Sequence, residues 1–448
     1  MLSRDRMATA VQRAVALRRS DSAISDRVAT GGVAVLLSLA WARVTFPPLL
    51  DVLANGRPVF NSPVDSMPAT GRVLGDTITA SVIGLSLLLA GYGLRRRRAR
   101  RPGELVVVLA PLCALHLAGL VNGEHPGPVA LALPAAVLAI WALRPGTHAL
   151  ATIGVLGAVT AAGALLLAAL RPDLALLTGA GLGAKSWAVG GLLTGPYPHS
   201  NVLGLMLALS LPFVFSLRHA WSRRAALVTI LVVLVWTGSR TSQLAALVAL
   251  LTWGLLHPRV AGRAAVGWRP SVLVGVPAAA GLALTVFSPL LVTDPTMFTK
   301  RGRIWRALLS RWAERPLIGH GPGYFERRPE LAEALGGRYT HGHNVLVHLL
   351  AVGGLLTLVL FAVLLGLVWR RSTLLAGLGA PAPALFLISL VWISWLEASH
   401  LAVTLAGFLT WLPLCLIMWA GPPGGHDRVR TPARPEDSWR PGVADSRW

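Results

Sequence analysis

Long apolar runs separated by short polar segments dominate the pattern of the chain. Several of these runs reach the roughly 20 residues that a helix needs to cross a bilayer. The pattern therefore predicts an all-α polytopic membrane protein with about twelve transmembrane helices. We place the spans near residues 31–50, 74–94, 104–121, 127–143, 149–170, 201–217, 223–238, 241–256, 271–292, 345–369, 382–396 and 400–420.

The composition agrees with a membrane protein and bears on which partners it binds. The 448 residues are 54% hydrophobic and 13% charged, with a mean hydropathy of +0.62, which excludes an ordinary soluble domain. The formal net charge of +22 could favour nucleic acid, but most arginines lie in short segments beside apolar runs, where they set membrane orientation. We therefore predict a lipid bilayer around the chain and no nucleic acid partner.

Basic residues also set the predicted orientation. Arginine occupies six of the seven positions from 95 to 101, which marks this segment as cytoplasmic. Both termini are then cytoplasmic. The predicted divisions are a basic cytoplasmic tail over 1–30, nine spans within 31–292, an extracytoplasmic loop over 293–344, three spans within 345–420 and a disordered cytoplasmic tail over 421–448.

Arginines stand out in two segments that are predicted to lie outside. The apolar runs around "TGSRTSQL", 237–244, are short for a bilayer, so Arg240 is expected below the outer surface, where it either snorkels or binds an anion. In "FTKRGRIWRALLSRW", 298–312, apolar residues recur at helical spacing, which predicts an amphipathic helix on the outer leaflet. Arg303 follows Gly302 at the expected helix start, where the helix dipole favours anions, and Arg306 lies on the same helix.

Histidines occur at two predicted helix starts. "GPYPHSN", 195–201, opens the sixth span, where Ser200 or Asn201 can cap the helix and His199 is either a ligand or an interfacial histidine.

"HGHNVLVHLL", 341–350, opens the tenth span. Asn344 is a good N-cap, and the helix dipole should keep His343 neutral and hence available as a base. His341 and His348 compete for that role, although a packed core position is the preferred interpretation for His348.

The predicted outer segments contain no DxD motif, no paired carboxylates and no His/Cys cluster, so neither a metal nor a cofactor is predicted. Asp51 and Asp65, in the first predicted outer loop, are the only plausible metal ligands. "GHGPG", 319–323, has the glycine content of a phosphate-binding loop, but no strand precedes it, and a tight turn is the preferred interpretation.

These motifs resemble those of the O-antigen ligase and polymerase superfamily of membrane glycosyltransferases, of the GT-C type. The resemblance covers roughly residues 190–400 and rests on "PYPHSNVLGL", "TGSRTSQL", "GRIW" with "PLIGHGPG", and the His-Asn pair. The ligase pattern is His, then Asn, Ser or Gln, nine residues, Gly, two residues, and Gly, Thr or Tyr. Here His343, Asn344, Gly354 and Thr357 match it, whereas residues 1–190 match the family only in hydropathy.

The resemblance implies a metal-independent, inverting transfer of a glycan at the outer face of the bacterial plasma membrane. The donor would be a glycan on polyprenyl (undecaprenyl) diphosphate, and the acceptor a hydroxyl on a glycan, lipid or envelope polymer. Arg240 and Arg303 would hold the diphosphate, and His343 would accept the acceptor's proton within a catalytic loop over 293–344. The further substrate-binding residues would be His199, Asn201, Arg306, Asn344 and His341.

Three functional alternatives stay open. Ligase and polymerase use the same donor and differ only in the hydroxyl that arrives. A transporter or lipid flippase would require inverted repeats, which are not evident. A metal-dependent glycosyltransferase would use Asp51 or Asp65.

Overall fold

The computed structural model describes residues 4–56, 68–96, 101–179, 190–257, 270–327 and 341–419, which are mostly helical. Asp65, the tail over 421–448 and residues 97–100 of the arginine run lie outside the described residues. The described α-helices are α1 (Arg4–Asn55), α2 (Ala69–Arg95), α3 (Pro102–Val121), α4 (Ala132–Leu143), α5 (Ala151–Leu170), α6 (Pro172–Ala175), α7 (Ser200–Val214), α8 (Ala220–Trp236), α9 (Arg240–Leu256), α10 (Pro270–Leu291), α11 (Met297–Glu314), α12 (Val345–Gly377), α13 (Ala382–Ser394) and α14 (Phe408–Trp419).

Short elements complete the described chain. Strand β1 (Leu176–Leu177) pairs antiparallel with β2 (Leu192–Leu193). The 3-10 helices are Pro128–Leu131, Thr147–Leu150, Ser399–Leu401 and Leu405–Gly407. Since α1 reaches back to Arg4, most of the segment predicted as a basic tail has a helical backbone.

The described helices agree with a membrane protein. Six segments are long and apolar enough to cross a bilayer: Asp26–Asn55, Ala69–Arg95, Pro102–Val121, Thr147–Leu170, Pro270–Leu291 and Val345–Gly377. Each of the twelve predicted spans overlaps a described helix, but several of these helices are shorter than a bilayer requires. The number of twelve spans and the GT-C type therefore stay predictions.

The shorter apolar helices form the centre of the bundle. Nearly every residue of α7, α13 and α14 is buried, as expected for helices that are apolar on all sides and surrounded by other helices. Phe213 of α7 packs on Phe386 of α13 with ring centroids 5.1 Å apart. The longer α10 instead exposes large side chains such as Phe287 and Leu290.

Helix α12 is broken at Gly354, where φ is 63° and ψ is −169°. In a continuous helix the N–H groups of Leu355 and Leu356 would bond to carbonyls four residues earlier. Here they donate to the carbonyls of Pro316 (2.9 Å) and Leu317 (3.0 Å) in the loop that follows α11.

The carbonyls that this break releases are bonded by the same loop. Ala351 accepts from the N–H of His320, and Val352 accepts from the N–H of Gly321, both at 2.9 Å. The segment 316–321 thus substitutes for one turn of helical hydrogen bonds, which satisfies irregular backbone inside a membrane protein.

Two glycines permit this insertion. A Cβ at Gly354 would lie 2.3 Å from the carbonyl carbon of Leu317, and a Cβ at Gly319 would lie 2.6 Å from the nitrogen of Gly353. Both glycines also have positive φ. "PLIGHGPG" is therefore more than the tight turn predicted from the sequence, because it docks into α12 before the chain turns at 322–326.

A polar network fastens the other side of this loop to the segment after α3. Asn122 donates to the carbonyl of Gly319 (3.1 Å), and its own carbonyl accepts from Arg327 (2.8 Å). Glu124 accepts from the N–H of Gly323 (3.0 Å) and forms an ion pair with Arg327. The loop is held between α3 and α12.

Candidate functional site

Asn344 caps α12, as the sequence predicts. It is fully buried, and its Oδ1 accepts from the N–H of Val347 (3.1 Å). Its Nδ2 donates to the carbonyl of Thr285 in α10 (2.9 Å) and to that of Trp395 after α13 (3.0 Å). One amide therefore fixes three helices relative to one another beside His343.

His341, His343 and Glu397 form a compact cluster immediately before α12. The imidazole centroids of His341 and His343 are 4.2 Å apart, and His341 Nε2 is in direct contact with Glu397 Oε1. One ligand atom from each of the three residues lies within 4.8 Å of the others. His343 has a φ of 51°, a left-handed conformation that histidine adopts more readily than most residues.

Glu397 reaches the cluster from the segment between α13 and the 3-10 helix Ser399–Leu401. Its Oε1 accepts from the N–H groups of Ala398 (3.0 Å) and Ser399 (3.3 Å), and its side chain is 10% exposed. The sequence analysis missed this residue. Its signal was that Glu397 is the only carboxylate between Glu333 and Asp427.

Arg301 is the second residue that the sequence analysis missed. The three preceding residues, Phe298, Thr299 and Lys300, have left-handed φ values of 51°, 62° and 69°, so regular right-handed helix begins at Arg301 rather than Arg303. Such a turn costs roughly 1–2 kcal/mol per residue. The ring of Phe298 packs between those of Trp305 and Trp395, with 5.7 Å to each centroid, and thereby stabilises the turn.

Burial and charge set the ionisation of the cluster. The pKa of His343 is lowered to about 3, chiefly by burial; the charges of His341, Arg301 and His199 contribute to this shift, and Glu397 opposes it. Burial raises the pKa of Glu397, but the charge and hydrogen bond of His341 and the charges of His343 and Arg301 outweigh burial and hold that pKa well below its usual range. A neutral imidazole therefore faces an ionised carboxylate, and burial, more than the helix dipole, is the cause.

Arg301 is itself shielded from solvent. Burial lowers the pKa of its guanidinium, and the charge of Glu397 raises it. The Arg301 guanidinium is half-buried and carries five N–H donors, more than the one nearby carboxylate can accept. This surplus of donors suits a larger anion such as a diphosphate.

His199 and Asn201 lie at the start of α7. His199 is the N-cap, and its Nδ1 accepts from the N–H of Asn201 (3.0 Å). The expectation that Ser200 or Asn201 caps this helix was therefore wrong, because the imidazole takes that place. The charge of His199 contributes to the lowered pKa of His343, which indicates that the start of α7 lies near this cluster.

The predicted arginines lie at the same end of the bundle but are exposed. Arg240 begins α9, whose N-cap Ser239 packs on Gly204, one turn into α7 from His199. Arg303 and Arg306 lie on the exposed face of α11, while Ile304, Trp305 and Leu308 form its buried face. The structure has an amphipathic helix here, as predicted, and its apolar face is buried in the protein. Its place on the outer leaflet stays a prediction.

Hydrogen bonds from Thr296 lower the pKa of Asp294, and the nearby charge of Arg306 adds to them. Arg306 is thus electrostatically coupled to Asp294 at the start of the loop. His348 is buried and stacks on Phe325, with centroids 5.7 Å apart, which agrees with the packed core position preferred for it.

The structure brings together three side chains that could ligate a metal and that were not grouped from the sequence. His341, His343 and Glu397 supply two imidazoles and a carboxylate, a donor set that suits divalent transition metals. This grouping was not predicted because Glu397 comes from a segment far along the chain, and the absence of a metal stays a prediction. Asp51, the described member of the other metal alternative, accepts a hydrogen bond from Asn55 on the same helix (2.8 Å).

Comparison with known families identifies the segment that builds most of this site. The family model described as O-antigen ligase, the Wzy_C domain, matches residues 225–362. This part of the chain is therefore similar to the O-antigen ligase family. A search of curated proteins found no match.

The matched segment spans most of α8, then α9, α10, α11, the loop docked on α12 and the first half of α12. It contains Arg240, Arg301, His341, His343 and the broken turn at Gly354. His199 and Glu397 lie outside the matched residues, so they complete the site from the flanking helices.

Proposed function

We propose that this protein is a membrane glycosyltransferase that moves a glycan from a polyprenyl diphosphate to an acceptor hydroxyl. The observation that supports this function best is the cluster of His343, His341 and Glu397 beside Arg301, at the segment that is similar to the O-antigen ligase family. The substrates would enter at the extracytoplasmic face of the bacterial plasma membrane.

In this mechanism His343 acts as the general base. The acceptor hydroxyl loses its proton to the neutral imidazole while its oxygen bonds to the anomeric carbon of the donor. The bond between that carbon and the diphosphate oxygen breaks, and the lipid diphosphate leaves with the electron pair. Attack opposite the leaving group inverts the anomeric centre.

The charges of the site fit this transfer. Arg301 would hold the diphosphate and stabilise the negative charge that grows on it, with Arg240 and Arg303 as further proposed contacts. Glu397 would stabilise the imidazolium of His343 through His341. A bound diphosphate adds negative charge, so it would raise the pKa of His343 from about 3 towards the range of an effective base.

Among the predicted substrate-binding residues, Asn344 takes a different role in this proposal. Its amide is bonded to three main-chain groups and is fully buried. We therefore assign it to positioning His343 rather than to substrate contact. His199, Asn201, Arg306 and His341 stay proposed substrate-binding residues.

The decisive experiment uses purified full-length protein with a polyprenyl-diphosphate glycan and candidate acceptors, and it resolves products by size. One glycan block on a foreign acceptor identifies a ligase, and a ladder on the donor lipid identifies a polymerase. If no covalent product formed and the donor instead accumulated in proteoliposomes, the proposed transferase activity would be rejected and a transporter favoured.

A metal-dependent transferase is the second candidate, supported by the donor set of His341, His343 and Glu397. The charge of Arg301 on the same carboxylate opposes a second cation there, and we therefore favour the metal-independent reaction. Transfer that is lost in EDTA and restored by a divalent ion would reverse this choice.

A further inference from the structure

A basic cavity of about 340 Å³ lies near the opposite end of α12 from His343. It is lined by Arg370 and Arg371 of α12, Glu104 in the first turn of α3, Arg144 directly after α4, and Trp419 at the end of α14. Four helices therefore meet at this cavity.

The cavity and the His343 cluster belong to opposite membrane surfaces. Arg370 follows His343 by 27 residues, which corresponds to about 40 Å of helix before allowance for the bend at Gly354. The hydrocarbon core of a bilayer is only about 30 Å thick. The predicted orientation puts this cavity on the cytoplasmic side.

The lining is positively charged. Arg144 and Glu104 form a salt bridge of 2.6 Å, and Arg370 and Arg371 leave the four charged residues with a net charge of +2. Arg144 adopts a left-handed φ of 48° at the C-cap of α4, a position that usually favours glycine. Its guanidinium still meets Glu104 at the cavity. One guanidinium group can donate two parallel hydrogen bonds to the oxygens of a phosphate, so the cavity suits a phosphate group.

The remaining lining is apolar and continues onto the surface of α12. Leu367 and Leu374 are 37% and 55% exposed on a helix that is apolar enough to cross the membrane. Trp419 is 6% exposed, and its indole N–H has no hydrogen-bond partner among the described residues. An occupant with both a phosphate and acyl chains satisfies these features, whereas a free phosphate leaves the apolar side uncovered.

We propose that this cavity binds the headgroup of an anionic phospholipid. The phosphate oxygens accept from Arg370 and Arg371, the indole of Trp419 donates to an acceptor of the headgroup or glycerol, and the acyl chains lie along Leu367 and Leu374. This site is independent of the proposed transferase reaction, since it lies at the other membrane surface.

The test measures lipid-dependent thermal stability of the full-length protein in uncharged detergent. Dioleoylphosphatidylglycerol, dioleoylphosphatidylcholine and inorganic phosphate are titrated separately. We expect phosphatidylglycerol to raise Tm in a saturable manner, and the double substitution R370Q/R371Q to weaken its apparent affinity by about tenfold or more. Arg224→Gln, which removes an exposed arginine on the same predicted side, is the matched control and should leave the affinity unchanged.

The substitution Glu104→Gln distinguishes an effect of charge on lipid binding from a general loss of protein stability. It removes the single negative charge of the lining, so it should strengthen phosphatidylglycerol binding. Equal stabilisation of all variants, or weaker binding in Glu104→Gln, would overturn the proposal. If inorganic phosphate raised Tm as much as phosphatidylglycerol does, the proposal of a lipid ligand would be overturned, and the cavity would be a site for a soluble phosphate.

Discussion

The side-chain amide of Asn344 donates a hydrogen bond of 3.0 Å to the main-chain carbonyl of Trp395, two residues before Glu397. Asn344 directly follows His343. The bond therefore sets the distance between the proposed base and the carboxylate that serves it, and it explains why histidine and asparagine occur side by side at this helix start.

Replacement of Asn344 should disturb both stability and transfer. Asn344→Ala removes the helix cap and the donor to the carbonyls of Thr285 and Trp395, so the free energy of unfolding should fall by roughly 1–3 kcal/mol. Thermal unfolding of the purified protein measures this loss. Asn55→Ala removes an exposed bond to Asp51 and should change stability by less than about 0.5 kcal/mol. Equal Tm values for the two variants would refute the role of Asn344.

His343→Ala should lower the transfer rate by about 10²- to 10⁴-fold, because the acceptor proton loses its base. The folded state should persist, since the capping bonds of Asn344 remain. His219→Ala is the matched control, because His219 precedes α8, is exposed and caps no N–H group with its side chain. Full transfer by His343→Ala would exclude it as the base.

Lysine substitutions should distinguish the arginines. Arg301→Lys keeps a charge but loses the planar fork, so transfer should fall about tenfold or more. Arg311→Lys, beside Glu314 on the exposed face of the same helix, should be normal. If Arg303→Lys impaired transfer and Arg301→Lys did not, Arg303 would be the arginine that holds the diphosphate, as was expected from the sequence.

The pH dependence of transfer should reveal the buried imidazole. In the free protein His343 gains a proton only as pH falls towards its pKa of about 3, so the acid limb of kcat/KM should lie far below the ordinary value near 6.5. Bound diphosphate raises that pKa, which should shift the acid limb of kcat to higher pH than that of kcat/KM. Superimposed limbs near pH 6.5 would contradict the burial of His343.

The same pKa has a consequence for stability. The unfolded chain protonates His343 near pH 6.5, whereas the folded chain does so near pH 3. Protons therefore bind the unfolded state first, and the contribution of His343 to stability should be lost as pH falls through this window.

Gly354→Ala should unfold the junction between the loop and α12. The added Cβ would meet the backbone of Leu317, and the positive φ is unfavourable for alanine. Gly366 lies in the same helix with nothing within 4 Å of a Cβ, so Gly366→Ala should be neutral or slightly stabilising. A Gly354→Ala variant with unchanged Tm would show that the loop does not depend on this contact.

Local chemistry was predictable from the sequence, and long-range proximity was not. Apolar runs identified the helices, and the cap at Asn344 followed from residue type and position. Glu397 was missed because only the packing of α13 against α10 and α12 brings it to His343. Arg301 was missed because the left-handed turn before it begins the helix earlier than Gly302 indicated.

The loop inserted at Gly354 imposes an order on biogenesis. The turn of α12 around Gly354 cannot complete its main-chain hydrogen bonds until segment 316–321 has folded against it. His343 and Asn344 lie just before the part of α12 that precedes this break, so we expect the site to take its final geometry only after 316–321 has docked.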